Sequence, residues 1–160
     1  MLSIRPVVCL VLVGLFFCVS HGIAGETVVG KVVGVSDGDT LPVLSPGRKD
    51  MRIRLEGIDA PESKQAYGSA SKKSLSDLVF GKQVKVVITS TDDYGRKVAN
   101  VYAGDTWINL AQVQRGMAWQ YTHYSHDPRL RAAEVHARSQ KAGLWQDKNP
   151  VPPWDFRHHH

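Results

Sequence analysis

Residues 51–56 alternate Met51, Ile53 and Leu55 against Arg52, Arg54 and Glu56, and the chain then runs directly into Gly57-Ile58-Asp59-Ala60-Pro61-Glu62. Successive side chains of a strand point to opposite faces, so this alternation describes a strand with one core face and one polar face. Arg54 falls on the polar face, where a ligand can reach it. The segment upstream, Val28-Val29-Gly30-Lys31-Val32-Val33-Gly34-Val35, is valine-rich and punctuated by glycine, the composition of a curved strand. Strand character resumes at residues 41–44 after the Asp37-Gly38 turn. It returns again at Val84, Val86 and Ile88, and at Val98, Asn100 and Tyr102, on either side of a Tyr94-Gly95 turn.

Helical character is confined to three places. Residues 67–80 place Ala70, Leu75, Leu78 and Val79 on one side with Gly81 as a stop, and residues 107–116 read as a strand end followed by a helix. Asp127-Pro128 puts a capping side chain directly before a proline suited to a first helical turn, and that helix is expected to run to about Ala142 before Gly143. The order is strands, a helix, more strands and two helices. It fits a mainly β chain with added α structure, a five-stranded barrel of the oligonucleotide/oligosaccharide-binding kind with about three helices. The tail Asn149-Pro150-Val151-Pro152-Pro153-Trp154 is too proline-rich for a helix and is expected to pack as an extended strap.

With 160 residues the chain is long enough for one domain with its own core. The expected division is a leader over 1–24, the domain over 25–148 and the proline-rich tail over 149–160, whose closing histidines are assigned no function. Arg5 precedes a nearly unbroken apolar run over residues 7–19, and Gly22-Ile23-Ala24 supplies small residues for cleavage, so the mature chain is expected to begin near Gly25. The run is shorter than the roughly 20 apolar residues a membrane-spanning helix needs. The implied location is secreted or periplasmic, with no stable membrane association after processing. Both cysteines, Cys9 and Cys18, lie in the leader, so the domain must hold together without a disulfide. The formal charge of +5 makes a polyanionic partner plausible without requiring one.

Three short stretches carry the chemistry: Asp37-Gly38-Asp39-Thr40-Leu41, the run from Arg54 to Glu62, and Asp92-Asp93-Tyr94-Gly95-Arg96. Alone, the first is an ordinary turn composition. A calcium loop of the EF-hand type is excluded, because the third oxygen ligand would be Leu41 and the flanking helices are missing. Asp39 gains meaning from Asp59, a second carboxylate at the end of another strand, since a barrel wall can bring both to one cation. Ala60 precedes Pro61 and is therefore extended, which fixes where its carbonyl points. Two carboxylates, a carbonyl and waters suit Ca²⁺, and neither cysteine nor clustered histidine is at hand for zinc. Glu62 is then free to orient or deprotonate a water. Arg54 and Arg96, which singly would read as solvated charges, can together neutralise a phosphate, and the Tyr94-Gly95 turn can project the Arg96 guanidinium away from the sheet.

Those stretches resemble the signatures of the thermonuclease, or staphylococcal-nuclease-like, family. The first signature is matched by residues 37–41 and by Arg54 through Glu62, the second by Asp92 and Tyr94-Gly95-Arg96 through Val101-Tyr102, and the likeness spans about residues 28–145. The resemblance implies the five-stranded barrel with three helices; Asp39, Asp59 and the Ala60 carbonyl as Ca²⁺ ligands; and Arg54, Glu62 and Arg96 as catalytic residues. It implies hydrolysis of DNA and RNA to leave 3′-phosphates, on single-stranded or frayed substrate, by a monomer with no protein partner. Tyr94 and Tyr121 correspond to tyrosines that meet the terminal nucleotide, with Tyr121 and Trp119 also readable as core or rim aromatics. The sequence departs from the pattern at Asp93, where a basic residue is usual and phosphate contact should weaken, and at Ala60, where threonine is common. A non-catalytic single-strand binder of the same fold is the rival reading, but a binder has no need of Glu62, two arginines and two carboxylates together.

Overall fold

The computed structural model describes residues 25–47 and 50–158, so the expected leader lies outside the described residues. In chain order the elements are β1 (Glu26–Val32), β2 (Thr40–Leu44), β3 (Met51–Leu55), β4 (Ile58–Asp59), α1 (Gly68–Val79), β5 (Gln83–Thr91), β6 (Lys97–Ala103), β7 (Thr106–Trp107), α2 (Ile108–Gln114), β8 (Trp119–Gln120), α3 (Pro128–Ser139), a 3-10 turn (Gly143–Gln146) and α4 (Pro153–His158). Strands β3, β2, β1, β5 and β6 pair in that order, and a further β3–β6 pairing closes them into a five-stranded barrel. Every pairing around the ring is antiparallel except that closing one, which is parallel.

The barrel follows from the two-residue period. Val28 and Val32 of β1, Ile53 and Leu55 of β3, Val84, Val86 and Ile88 of β5, and Ala99 and Val101 of β6 all point inward and are buried. Leu75 and Val79 of α1 and Ile108 and Val113 of α2 join the same core. A smaller cluster of Trp119, Ala137, Leu144 and Trp145 forms beside it, with Tyr67, Ala142 and Trp154 packed against it. A register shift between Ile88 and Ser90 bends β5 where it must follow the barrel wall.

Three local expectations need correction. Ala70 is exposed, and the inward face of α1 instead carries Ser71 and Ser74, which can be buried because their hydroxyls donate to the Met117 carbonyl at 2.5 Å and to Gln112 Oε1 at 2.7 Å. Helix α3 stops at Ser139 instead of near Ala142. Lys141 takes the left-handed conformation at φ 50°, and the Ala142 N–H donates back to the Ala137 carbonyl at 2.9 Å, which closes the helix one turn before Gly143.

The proline-rich tail is not an extended strap throughout: its last part is α4, a fourth helix beyond the three expected. Pro153 opens that helix, where its missing N–H costs nothing, and the Pro152 carbonyl accepts from the N–H groups of Asp155 at 3.1 Å and Phe156 at 3.0 Å. Prolines that would break a helix in its middle here start one.

At the start of α3, Pro128 occupies the first turn and the Asp127 carboxylate accepts from the Arg129 N–H at 2.8 Å. The Arg129 guanidinium, which also donates to that carboxylate, holds the Asp127 carboxyl below the usual carboxylate range. Replacing Asp127 with alanine should cost about 1 kcal/mol at pH 7, the typical worth of such a cap. Because the folded pKa is the lower one, this contribution is complete above the unfolded value near 3.8 and fades as pH falls through the folded value. Urea unfolding of the parent and Asp127→Ala at pH 7 and pH 2.5 checks this. A gap as wide at pH 2.5 as at pH 7 would contradict it.

Candidate active site

The barrel's closing seam brings the three sequence stretches to one place. In the β2–β3 pairing Thr40 lies opposite Arg54, and the Leu55 N–H donates to the Asp39 carbonyl at 2.8 Å, so Asp39 sits beside the end of β3. In the parallel β3–β6 pairing Ile53 lies opposite Lys97, which brings the neighbouring Arg96 to the same rim. The tight turn after β3 needs Gly57 at φ 73° and leads into β4, where Asp59 lies opposite Trp119 of β8.

The side chains form a continuous row of alternating charge. Asp92 Oδ2 accepts from Arg96 Nε at 2.7 Å, and Arg96 Nη1 reaches Thr40 Oγ1 at 3.5 Å. Thr40 Oγ1 donates to Asp39 Oδ1 at 3.1 Å. Arg54 Nη1 lies 3.2 Å from Asp39 Oδ2 while its Nη2 donates to Asp59 Oδ1 at 2.8 Å, so one guanidinium bridges both carboxylates. Arg54 Nη1 also donates to the carbonyls of Leu55 at 3.0 Å and Ile58 at 2.8 Å, tying the turn to the same fork. The Ala60 N–H donates to Asp39 Oδ2 at 2.7 Å.

Burial makes the arrangement demanding. The side chains of Asp39, Asp59 and Arg54 are only 8, 2 and 13% exposed, whereas Glu62 is 38% exposed. Burial pushes the Asp59 carboxyl above its ordinary value, against the pull of its hydrogen bonds from Arg157 and the charge of Arg54. Asp37 is pushed up to about 6, first by burial and then by the charge of Asp39. At Asp92 burial works upward, but hydrogen bonds from the Arg96 side chain and backbone outweigh it and hold the carboxyl low.

The loop holding Asp39 is fixed from behind. Gln112, fully buried on α2, donates to the Gly38 carbonyl at 2.7 Å and to the Ser71 carbonyl at 3.2 Å. A Cβ on Gly38 would lie 1.9 Å from Ser71 Oγ and 2.6 Å from the Ala60 Cβ, so only glycine lets this loop lie flat on α1. Asp37 adds an acceptor for the Asp39 N–H at 3.0 Å.

Of the residues expected from sequence, Asp39, Arg54, Asp59, Ala60 and Arg96 meet in this row, and Glu62 joins its end. Three expectations about their state are corrected. Arg96 does not project away from the sheet but folds back onto Asp92, because that carboxylate also accepts from its backbone N–H at 2.9 Å. Arg54 does not stand open on the polar face but is nearly buried, clamped between two acids. Glu62 is not free: its Oε1 accepts from Arg157 Nη1 at 2.7 Å, and Arg157 Nη2 also donates to Asp59 Oδ2 at 2.8 Å.

Arg157 lies 95 residues beyond Glu62 on the short helix α4, and no local pattern announced it. The one available signal was the pair Pro152-Pro153, which suits a helix start and would have placed Trp154 and Arg157 on one face, three residues apart. Of the two tyrosines, Tyr94 is 81% exposed at the tip of its turn, with the Arg96 guanidinium 5.5 Å from its ring centre. Tyr121 is on the opposite flank of the row and stacks on Trp154, ring centres 5.3 Å apart at 16°. Trp119 is buried core.

The donor set can be tested against a hard cation. Asp39 and Asp59 offer oxygen only, are buried, and already require nearby positive charge, which fits Ca²⁺ in kind. Among the described residues no group of three histidine, cysteine or carboxylate side chains is gathered into a cage, so further ligands would be carbonyl, water or substrate oxygens. Asp59 can serve only where Arg157 yields it.

If Arg54 is the clamp on which both carboxylates depend, Arg54→Met should destabilise the protein by about 3 kcal/mol or more at neutral pH, as for other buried pairs that lose one partner. Urea denaturation tests this, and a loss under about 1 kcal/mol would show that the clamp is not needed.

Sequence comparison agrees with this geometry. The family described as staphylococcal nuclease homologue matches residues 52–147. An uncharacterized endonuclease of Haemophilus influenzae is 46% identical over 143 residues, covering 89% of this chain and 80% of that protein. An uncharacterized endonuclease of Escherichia coli O157:H7 is 49% identical over 130 residues, covering 81% and 84%. A protein named micrococcal nuclease in Shigella flexneri is 44% identical over 139 residues, covering 80% and 79%. Matched over most of its length and built on a closed five-stranded barrel, the chain belongs to the staphylococcal-nuclease-like family and is a thermonuclease-like enzyme.

Proposed function

We propose that this enzyme is a calcium-dependent nuclease of DNA and RNA, acting on single-stranded or frayed substrate outside the cytoplasm and leaving 3′-phosphates. The observation that carries the reading is the Asp39–Arg54–Asp59 bridge, in which two buried carboxylates are fixed side by side at a barrel rim that also carries Arg96 and Glu62. Asp39 and Asp59 would hold the ion, with the Ala60 carbonyl as a third ligand. Bound there, calcium supplies a hard positive centre that offsets phosphate charge.

The remaining work belongs to the chain's own groups. Glu62, the most exposed carboxylate of the row, is placed where it can orient a water and take its proton. Arg96 is held at Nε by Asp92 and Arg54 is held by both carboxylates, so each guanidinium is pre-positioned and pays little reorganisation when negative charge builds on phosphate oxygens. Exposed Tyr94 and partly buried Tyr121, on opposite flanks, mark where a nucleotide's base and sugar would rest. Exposed Asp93 beside Tyr94 repels phosphate at that flank and should limit affinity.

The test is single-turnover cleavage of a short labelled single strand, with its dissociation constant measured at the same salt concentration. Glu62→Gln should slow cleavage by roughly 10²-fold or more while binding is largely kept, and excess chelator should abolish cleavage by the parent. Parent-rate cutting by Glu62→Gln would refute this mechanism. A parent that binds the strand yet never cuts it would establish the non-catalytic binding module instead.

A further inference from the structure

Helix α4 makes two contacts with the site, and each covers a group that the proposed reaction needs. Arg157 Nη1 donates to Glu62 Oε1 at 2.7 Å and to Asp59 Oδ1 at 3.3 Å, while Nη2 donates to Asp59 Oδ2 at 2.8 Å. One guanidinium thus occupies both oxygens of Asp59 and reaches across to Glu62. One helical turn earlier, the Trp154 indole lies flat on Tyr121 and meets the edges of Trp119 and His123 at 5.8 and 5.9 Å. A flat aromatic on Tyr121 is also what a stacked nucleobase would be.

We propose that α4 is a built-in occupant of the active site: the Arg157 guanidinium takes the place at Asp59 that a divalent cation would take and at the same time engages Glu62, Trp154 covers Tyr121, and the site loads as α4 lifts. This rests on the reading of Asp59 as a cation ligand.

The helix is built to leave. It has six residues, well short of the length at which a helix persists in water, so it keeps its shape only while docked. Its packing is incomplete: a partly open pocket of about 160 Å³ lies beside it, lined by Pro61, Tyr67, Trp119, Val151 and Phe156 among others. The Trp119 indole N–H, buried in the same region, has no acceptor among the described residues. The Val151 carbonyl, which accepts from Gln65 Nε2 at 2.6 Å, anchors the chain just before the helix, so α4 can lift while the segment leading to it stays attached. Arg157 itself is 42% exposed, so water can compete for it, while the Asp59 side chain it covers is 2% exposed. A divalent ion would bring twice the charge of the guanidinium to Asp59.

Calorimetric titration with calcium and amide hydrogen exchange over residues 153–158 test this on the same protein. Calcium should speed exchange across α4, and Arg157→Gln and Trp154→Ala should each tighten calcium binding by about tenfold, the gain expected if the open form is about a tenth of the parent. Trp154→Ala is decisive, because it loosens the helix and leaves every charge in place. Tightening in Arg157→Gln alone would mean simple removal of a repelling charge and would overturn the proposal. So would calcium binding with α4 protected as before. A parent that neither binds calcium nor cuts nucleic acid would bring down the functional reading and this inference together, whereas a parent that does both with α4 unmoved sinks the inference alone.

Discussion

The rest of the site depends on one guanidinium. Arg54 meets Asp39 and Asp59, two carboxylates buried from water at the seam of the barrel, and it also ties down the Leu55 and Ile58 carbonyls of its own turn. Desolvated carboxylates held side by side repel one another and resist ionisation, so this arrangement persists only with positive charge between them. The fold supplies that charge from β3 and then adds more from the turn leading into β6 and from α4. The result is a row in which each acid is flanked by a base and each neighbour holds the next in place. In the proposed function, such a row would take a cation at its carboxylate pair and would present its arginines to a phosphate.

Barrel closure decides which residues can join the row. The parallel pairing of β3 with β6 runs from Ile53 opposite Lys97 to Leu55 opposite Ala99, and a shift of one residue would turn Arg96 away from Thr40. The same seam needs a short, flat Asp37-Gly38-Asp39 loop, which Gln112 holds from the core through the Gly38 carbonyl. Chemistry at the rim is therefore anchored by a buried amide that never meets the substrate. The short β4–β8 ladder extends this logic outward, setting Asp59 against Trp119 and carrying Tyr121 to the flank where α4 docks.

Much of this was legible in the sequence because it is local. The alternation of Met51, Ile53 and Leu55 against Arg54 and Glu56 specifies both the core face and the rim, and Asp39, Asp59 and Arg96 stand at or next to strand ends, with Glu62 three residues beyond β4. Two kinds of feature were hidden. Packing partners far apart in the chain leave no periodic trace, so Gln112 behind Gly38 and Arg157 on Asp59, 98 residues away, could not be read. Competition between local signals also misled: prolines that forbid a helix interior favour a helix start, so the tail turned out to hold α4, and Lys141 closed α3 in a conformation more often taken by glycine. Polar residues on α1 were similarly ambiguous, since Ser71 and Ser74 become buried only when specific acceptors wait for them.

The central claim is that the carboxylate pair held by Arg54 is the cation site of a phosphodiester-cleaving centre. Its most direct test is to convert Asp59 to asparagine, which keeps the shape and one acceptor oxygen but removes the charge, and to measure calcium binding by calorimetry and single-strand cleavage on one preparation whose fold is verified by its unfolding transition. The account predicts that calcium binding and cleavage are lost together while the barrel still unfolds cooperatively. A folded Asp59→Asn protein that binds calcium and cuts at the parent rate would contradict it.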